Sequence, residues 1–568
     1  MGNNNGLPGI ALVCLVAVSA HALFKWDGCP DIAKGSPEFK IQPLVTRRAE
    51  FNAIVDGTLN EPIKLALAKN GDMYWVERYG AVKVYKGSAD TPSVVKVGQL
   101  EVFAGGRGAL TAPGVLGSTD SEFGIHGLVL DPEFETNRYI YFHYAPKSER
   151  DSSLYVSRFK LNGDVLDLTS EKILIKIPQQ RRYCCHTGGG MAFDFAGNLF
   201  ITVGNNTKKP VDDNIADAYL MESNPDADDG GHAGNTNDLR GKILRIKPRA
   251  IPDAGVAPEP GPGSTYDIPA GNLFPAGTPL TRGEIWAMGM RNPYTLSVDK
   301  YRNWVTWGDV GPDEGKDHEE WNLFTQPGNA GWPYFVGAVA WRPKINNDPN
   351  HVVNNSRNNT GLKDLPPAIP ATIAYRQNTA ITGPIYYYDG ANPSTRKFPP
   401  NFHKKWFLTD WKLGFLDVAT LDDAGKVTER QTLLDPKTLG GPLNMEFGPD
   451  GALYIIQYGT DYFTKQDANT KILRVEYTGA CRPTTPVLPP TPAALREQAL
   501  LERGTLLSGM SLGFAREVSL PSGAKGFRLF DVHGRIAWEY RATGHETCKV
   551  AIPASLPSTG VLRVQYLR

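Results

Sequence analysis

The run Cys184, Cys185, His186, Thr187 and Gly188 to Gly190 holds residue types from which a proton-transfer site can be built. Imidazole titrates near neutrality, and three glycines beside it admit a flat ligand, so His186 fits a general base next to a planar cofactor or substrate. The ordinary reading is a histidine capping the end of a strand by a hydrogen bond. Further along, MRNPYTLSVD carries Arg291 and Asn292, a cation beside an amide. WGDVGPDEG then supplies a turn whose main-chain carbonyls, with Asp309 nearby, could hold a hard cation such as calcium. The acidic loop 227–241, together with Asp226, brings Asp228, Asp229, Asn235 and Asp238 close in sequence. It lacks the DxDxDG spacing of known calcium loops, which favours a solvated acidic loop over a metal site.

Something must bring these residues together. A five-part signature recurs: a short apolar strand, a Gly or Asn turn, an aromatic-rich strand, a polar cluster and a third strand. It appears at 63–80, 127–145, 189–207, 295–311, 381–414 and 444–460. Such hairpins cannot bury their apolar faces alone, so the pattern predicts an all-β, six-bladed β-propeller. In each copy the residues before the first strand and after the second fall at one rim. That rim collects Glu61, Glu77, Glu122, His126, His143, His186, Asn205, Asn206, Arg291, Asn292, Asp309, Asp410, Trp411, Lys412, Asn444, Gln457 and Tyr458. The opposite ends read NG, FAGN, DKYRN and PDG, ordinary turn sequences.

The 568 residues exceed one ordinary core, and 60 basic against 60 acidic residues give no reason to expect a nucleic-acid partner. Residues 1–22 read as a secretory signal, a short apolar run ending in a small-x-small pattern, and no later segment reads as a membrane span. In an exported chain Cys29 and Cys481 flank the propeller and could tie its ends together. Cys184 and Cys185 could form a vicinal disulfide or remain two buried thiols, and Cys548 is then left over. The expected domains are a propeller over 23–481, a Pro/Thr-rich linker over 482–496 and a small C-terminal β-sandwich-like domain over 497–568. That last segment carries no catalytic constellation, and its FDVHGR phrase resembles C-terminal sorting modules that hold some secreted proteins at the cell surface.

EFGIHGLVLDPEFETNRYIYFHY, GNLFITVGNN, LRGKILRIKP, EIWAMGMRNP, GDVGP and AGWPY occur in an order that resembles the glucose/sorbosone dehydrogenase family over about residues 50–480. That resemblance implies a six-bladed propeller using pyrroloquinoline quinone (PQQ) and calcium to oxidise an aldose or related sugar to its lactone. It implies His186 as the base at the anomeric hydroxyl and Arg291 as the cation that polarises the quinone carbonyl. Glu122, Asn205, Asn292, Lys412 and Asn444 are the candidate cofactor contacts, Trp332 and Trp411 apolar walls, and the carbonyls of Gly311 and Pro312 the calcium ligands. The chain departs from the family pattern at Gly441 and Leu443, where arginines stand in its best-known members. Glu122 takes the place of a glutamine, and Cys185 that of an acidic neighbour of the histidine. Arg78, Arg181 and Arg182 are the cations that could compensate.

No dinucleotide-binding glycine fingerprint follows a strand and opens a helix, and no CxxCH haem attachment sequence occurs. Electrons would therefore leave to a separate acceptor, a soluble cytochrome or a quinone, and the protein would work in the periplasm or outside the cell. Two other functions compete with the dehydrogenase: a non-catalytic propeller that binds a carbohydrate or protein ligand, which the two missing arginines favour, and a metal-dependent propeller hydrolase.

Overall fold

The computed structural model describes residues 23–47, 53–56, 59–104, 122–147, 152–181, 185–207, 219–312, 319–337, 339–340, 348–376, 379–460 and 467–484, and five strands beyond 516. Residues 1–22, Arg182, Cys184, Cys548 and most of the linker lie outside the described residues. The chain divides into two compact units, with the break in the main run at Val487/Leu488.

The first unit is a six-bladed β-propeller. Six inner strands, Pro62–Leu67, Ile125–Leu130, Met191–Phe193, Pro293–Val298, Ala380–Ile385 and Pro442–Phe447, pack each against the next and close a ring. Each opens a blade whose next strand runs antiparallel to it: Met73–Glu77, Tyr139–Tyr144, Leu199–Val203, Val305–Asp309, Lys405–Asp410 and Leu453–Gln457. These second strands lie between neighbouring blades. All five residues of Met73–Glu77 are buried, and the first four form an unbroken apolar and aromatic run that ends at Glu77 on the rim. The outer strand Val427–Leu434 is more exposed, with Thr428, Glu429 and Arg430 in water.

Blade 6 is completed from the other end of the chain, by Phe39–Thr46 pairing antiparallel with Lys471–Tyr477. Cys29 and Cys481 form a disulfide just outside that pairing, joining residues 452 apart in sequence. The ring thus has no open seam, and the edge that a terminal blade would leave is covered.

The two ends of each hairpin differ. At one end the turns are local: Asp194 accepts hydrogen bonds from the N–H groups of Ala196 (2.8 Å) and Asn198 (2.9 Å), and Asn70, Asp131, Asp422 and Asp450 act similarly. At the other rim four of the six inner strands begin with β-bulges, between Pro62 and Lys64, Ile125 and Gly127, Pro293 and Thr295, and Pro442 and Asn444. A bulge re-aims the residue it leaves unpaired, here Ile63, His126, Tyr294 and Leu443.

In the second unit the described strands form a two-stranded sheet, Glu517–Ser519 with Lys549–Ala551, and a three-stranded sheet of Gly526–Phe530, Ile536–Arg541 and Arg563–Leu567.

Candidate active site

His186 enters the third blade through a run of left-handed backbone, with φ of 89° at Cys185, 60° at His186, 71° at Gly188 and 121° at Gly189. A Cβ on Gly188 would lie 2.7 Å from the Thr202 carbonyl oxygen, and one on Gly189 2.5 Å from that of His126. Gly188 is therefore required for close packing within the third blade and Gly189 for packing against the second, as well as for their φ. Cys185 is disulfide-bonded. The expected partner Cys184 lies outside the described residues.

The imidazole is buried and its Nδ1 lies 2.7 Å from Asn205 Oδ1. Asn205 follows the second strand of the same blade, and its Nδ2 donates to Asp229 Oδ2 at 2.8 Å. Trp332 Nε1 donates to the same oxygen at 2.6 Å, and Thr207 Oγ1 donates to Asp229 Oδ1.

On the other side Glu122 binds the turn that carries the histidine. It accepts from the Thr187 N–H at 3.2 Å, from the His186 N–H, and from Asn292 Nδ2 at 3.3 Å. Burial pushes its carboxyl up from the usual range, opposed by these donors and by the Arg291 charge. Asn292 is bound at both ends, because its Oδ1 also accepts the Gly188 N–H at 3.1 Å.

Asp309, at the end of the second strand of blade 4, accepts the main-chain N–H groups of Arg291 (3.1 Å) and Asn292 (2.7 Å) and so fixes the start of the inner strand. The Arg291 guanidinium donates to the Val310 carbonyl at 2.9 Å and to Tyr219 Oη at 3.2 Å. Beside it lies a small recess of about 10 Å³, bordered by Arg291, Asp309, Gly311, Pro312 and Glu320 on its polar side and by Trp332, Phe335 and Val336 on its apolar side. Burial and the nearby Glu320 raise the carboxyl of Asp309, burial raises that of Glu320, and Glu319 is raised by burial and by Asp410. Among the described residues no three His, Cys, Asp or Glu side chains are grouped to hold a metal, so the oxygens available to a cation here include main-chain carbonyls.

His186, Glu122, Asn205, Arg291 and Asn292 thus fall into one neighbourhood, with Gly311 and Pro312 beside Arg291. The other two expected contacts are engaged differently. Lys412 has an exposed side chain, and its N–H is bound by Asp410 at 2.9 Å. Asn444 uses its carbonyl oxygen to accept the Leu65 N–H at 3.0 Å, tying blade 6 to blade 1. Of the compensating cations, Arg78 is held by Glu61 and the carbonyls of Ala104 and Phe123, and Arg181 by the Ser153 carbonyl. The carboxylates of the acidic loop are taken up by protein donors: Asp228 accepts from Ser356 and Asn358 of a distant segment, and Asp238 pairs with Arg240 inside the loop. Asp229 and Tyr219 were not legible as site residues, since neither stands in a recognisable motif and their partners are up to 103 residues away.

Residues 59–462 match the family model described as glucose/sorbosone dehydrogenase. The chain belongs to the glucose/sorbosone dehydrogenase family. It is 24% identical to the aldose sugar dehydrogenase YliI of Escherichia coli over 374 residues, which cover 63% of this family member and 81% of that protein. With the HIPL1 protein of Arabidopsis thaliana it shares 31% identity over 176 residues, 29% of this chain and 23% of HIPL1. A match of 24% identity to a Synechocystis protein covers 62% of that protein. The chain therefore spans less than two thirds of the length of these last two relatives. A structure from Thermus thermophilus described as a glucose dehydrogenase superposes with a TM-score of 0.51 at 21% identity, covering 77% of this chain and 99% of that one. Another glucose dehydrogenase structure gives 0.52 at 20% identity, covering 78% and 99%. Both share the propeller fold with this family member.

Proposed function

We propose that the protein oxidises an aldose or related sugar to its lactone at the rim of the propeller, with PQQ as hydride acceptor and calcium as its partner. The observation that carries this reading is the convergence of the buried His186, the Asn292–Glu122 pair and Arg291 beside a recess bordered by Gly311 and Pro312. The carboxylates of Asp309 and Glu320 and the main-chain carbonyls at this border suit a hard cation, and Arg291 suits an anionic, planar group. Glu122, its carboxyl pushed toward the neutral form by burial, repels such an anion less than an exposed glutamate would.

The residues divide the work as follows. His186 takes the proton of the anomeric hydroxyl through its ring. Arg291 and Asn292 would hold the cofactor edge, and the Gly311 and Pro312 carbonyls would hold the cation. Trp332 packs on Tyr219 and holds Asp229, whose carboxylate bonds Asn205 behind the base. When bound, the quinone and its cation supply a two-electron acceptor, which no side chain can provide. Electrons then leave to a separate acceptor outside the cytoplasm, as the Cys29–Cys481 disulfide favours.

One observation favours the alternative of a non-catalytic binding propeller. A Cβ on Gly441 would stand 2.0 Å from the Gly459 carbonyl oxygen, so the sixth blade has no room there for a cationic side chain. The deciding experiment titrates the purified protein with PQQ and calcium by absorbance and then screens sugars by dye reduction. The dehydrogenase reading expects saturable quinone binding, turnover with aldoses, loss of turnover on chelation and its return with calcium. Sugar binding without turnover at saturating quinone and calcium would move the assignment to the binding propeller, and full turnover in a verified metal-free sample would remove calcium from it.

A further inference from the structure

We propose that Asp229 is a positioning residue that sets which ring nitrogen of His186 carries the proton, acting through Asn205. The inference rests on reading His186 as the base.

A carboxamide has a donor end and an acceptor end, and both ends of Asn205 are fixed by partners that cannot exchange roles. The Thr207 main-chain N–H can only donate, and it reaches Asn205 Oδ1 at 3.1 Å. The Asp229 carboxylate accepts, and it faces Asn205 Nδ2 at 2.8 Å. Oδ1 must therefore be the atom facing His186 Nδ1 at 2.7 Å. A neutral imidazole has one N–H, so an acceptor opposite Nδ1 puts the proton there and the lone pair on Nε2. Nε2 is then the nitrogen able to accept a substrate proton.

Asp229 is itself held. Trp332 Nε1 and Thr207 Oγ1 donate to its two oxygens, and its main-chain N–H donates to the Tyr219 carbonyl at 2.8 Å. Trp332 packs edge to face on Tyr219, with ring centroids 5.0 Å apart, and the Tyr219 hydroxyl accepts from Arg291. The node that orients the base thus also braces the cation of the site. Asp229, Asn205, Thr207 and Tyr219 are all fully buried, so water does not compete for these bonds. The other titratable groups around the node are Lys242, which donates to the His232, Ala233 and Arg240 carbonyls, and His232, whose Nδ1 lies 3.2 Å from Thr207 Oγ1.

The test uses full-length protein labelled with 15N-histidine, without cofactor, so that the tautomer of His186 is read independently of turnover. Wild type is expected to show Nδ1–H. Asp229→Asn presents Asn205 with a partner that can donate as well as accept, so Nε2–H should gain population. In the loaded enzyme kcat should then fall at least about 10-fold, toward the about 10⁴-fold that a wrongly protonated base costs, with KM little changed. The exchange Asn205→Asp with Asp229→Asn restores one acceptor facing His186 and one donor behind it. It should recover Nδ1–H and most of kcat, and it carries the test if the single variant does not fold. Unchanged Nδ1–H in folded Asp229→Asn, or Nε2–H in the folded exchange variant, overturns the inference. A tautomer that shifts as expected in a protein oxidising no sugar keeps the positioning role and instead removes the dehydrogenase reading.

Discussion

The two rims of the propeller are made by the same hairpins, yet their hydrogen bonds differ in reach. On the turn side, Asp194 satisfies N–H groups two and four residues away. On the site side, Glu122 reaches Thr187 across 65 residues and Asn292 across 170. The turn side closes each strand pair mainly by local bonds, with an exposed link from the Lys69 N–H to Glu135 between the first two blades. The site side holds blades to one another, and its polar groups are buried because neighbouring blades cover them. Charged and strained groups can persist there because several blades fix each one at once, whereas an isolated turn would relax.

That contrast predicts which changes damage chemistry and which damage folding. The largest effect is expected at the base: His186→Gln should lower kcat by about 10² to 10⁴-fold with a nearly unchanged Tm. A variant that melts early and turns over normally would make His186 scaffolding, and the rim would then differ from the turns in reach alone.

Next is Gly441→Ala, at φ 71° and with a Cβ that would meet the Gly459 carbonyl. It should cost about 3 kcal/mol or more in denaturant unfolding. A loss within error would show that the start of blade 6 can relax and accept a side chain.

Asp410 tests the buried charge of the site rim. Burial raises its carboxyl to about 6, against an ordinary value near 4. The folded form thus binds the proton more tightly than the unfolded chain. Its contribution is full below about pH 4 and is lost as pH rises through about 6, by up to about 3 kcal/mol. Asp410→Asn should therefore raise Tm relative to wild type at pH 8 and leave it alike at pH 4. An equal difference at both pH values would remove the charge explanation. The smallest effect belongs to the turns. Asp194→Ala should lower stability by about 1 kcal/mol and leave kcat/KM as it was, and a change in turnover would blur the distinction between the rims.

Much of the architecture was readable because it is written in local pattern. The six hairpins announce themselves in runs such as IKLALAKNGDMYWVERYG, where apolar strands flank turn residues. The pairing of Cys29 with Cys481 followed from their flanking the propeller, and the structure contains it. Of the site, His186, Arg291 and Asn292 stood out by residue type beside glycine or proline. The bulge that leaves Leu443 unpaired did not, because register depends on how a strand meets its partner.

The sequence by itself determined the all-β repeat, the rim to which polar residues would be delivered and the family to which their order belongs, because strand period and turn chemistry act over a few residues. Only the tertiary structure decided what those residues touch. Asp229 reads as one more aspartate in an acidic loop, and becomes the partner of Asn205 because the loop folds over the third blade against Trp332, 103 residues further on. Asn444 reads as a ligand contact, and its carbonyl oxygen also bonds the Leu65 main chain, because closing the ring brings blade 6 beside blade 1. Direction and burial of a polar side chain are set by neighbours from distant parts of the chain, and no local pattern encodes them.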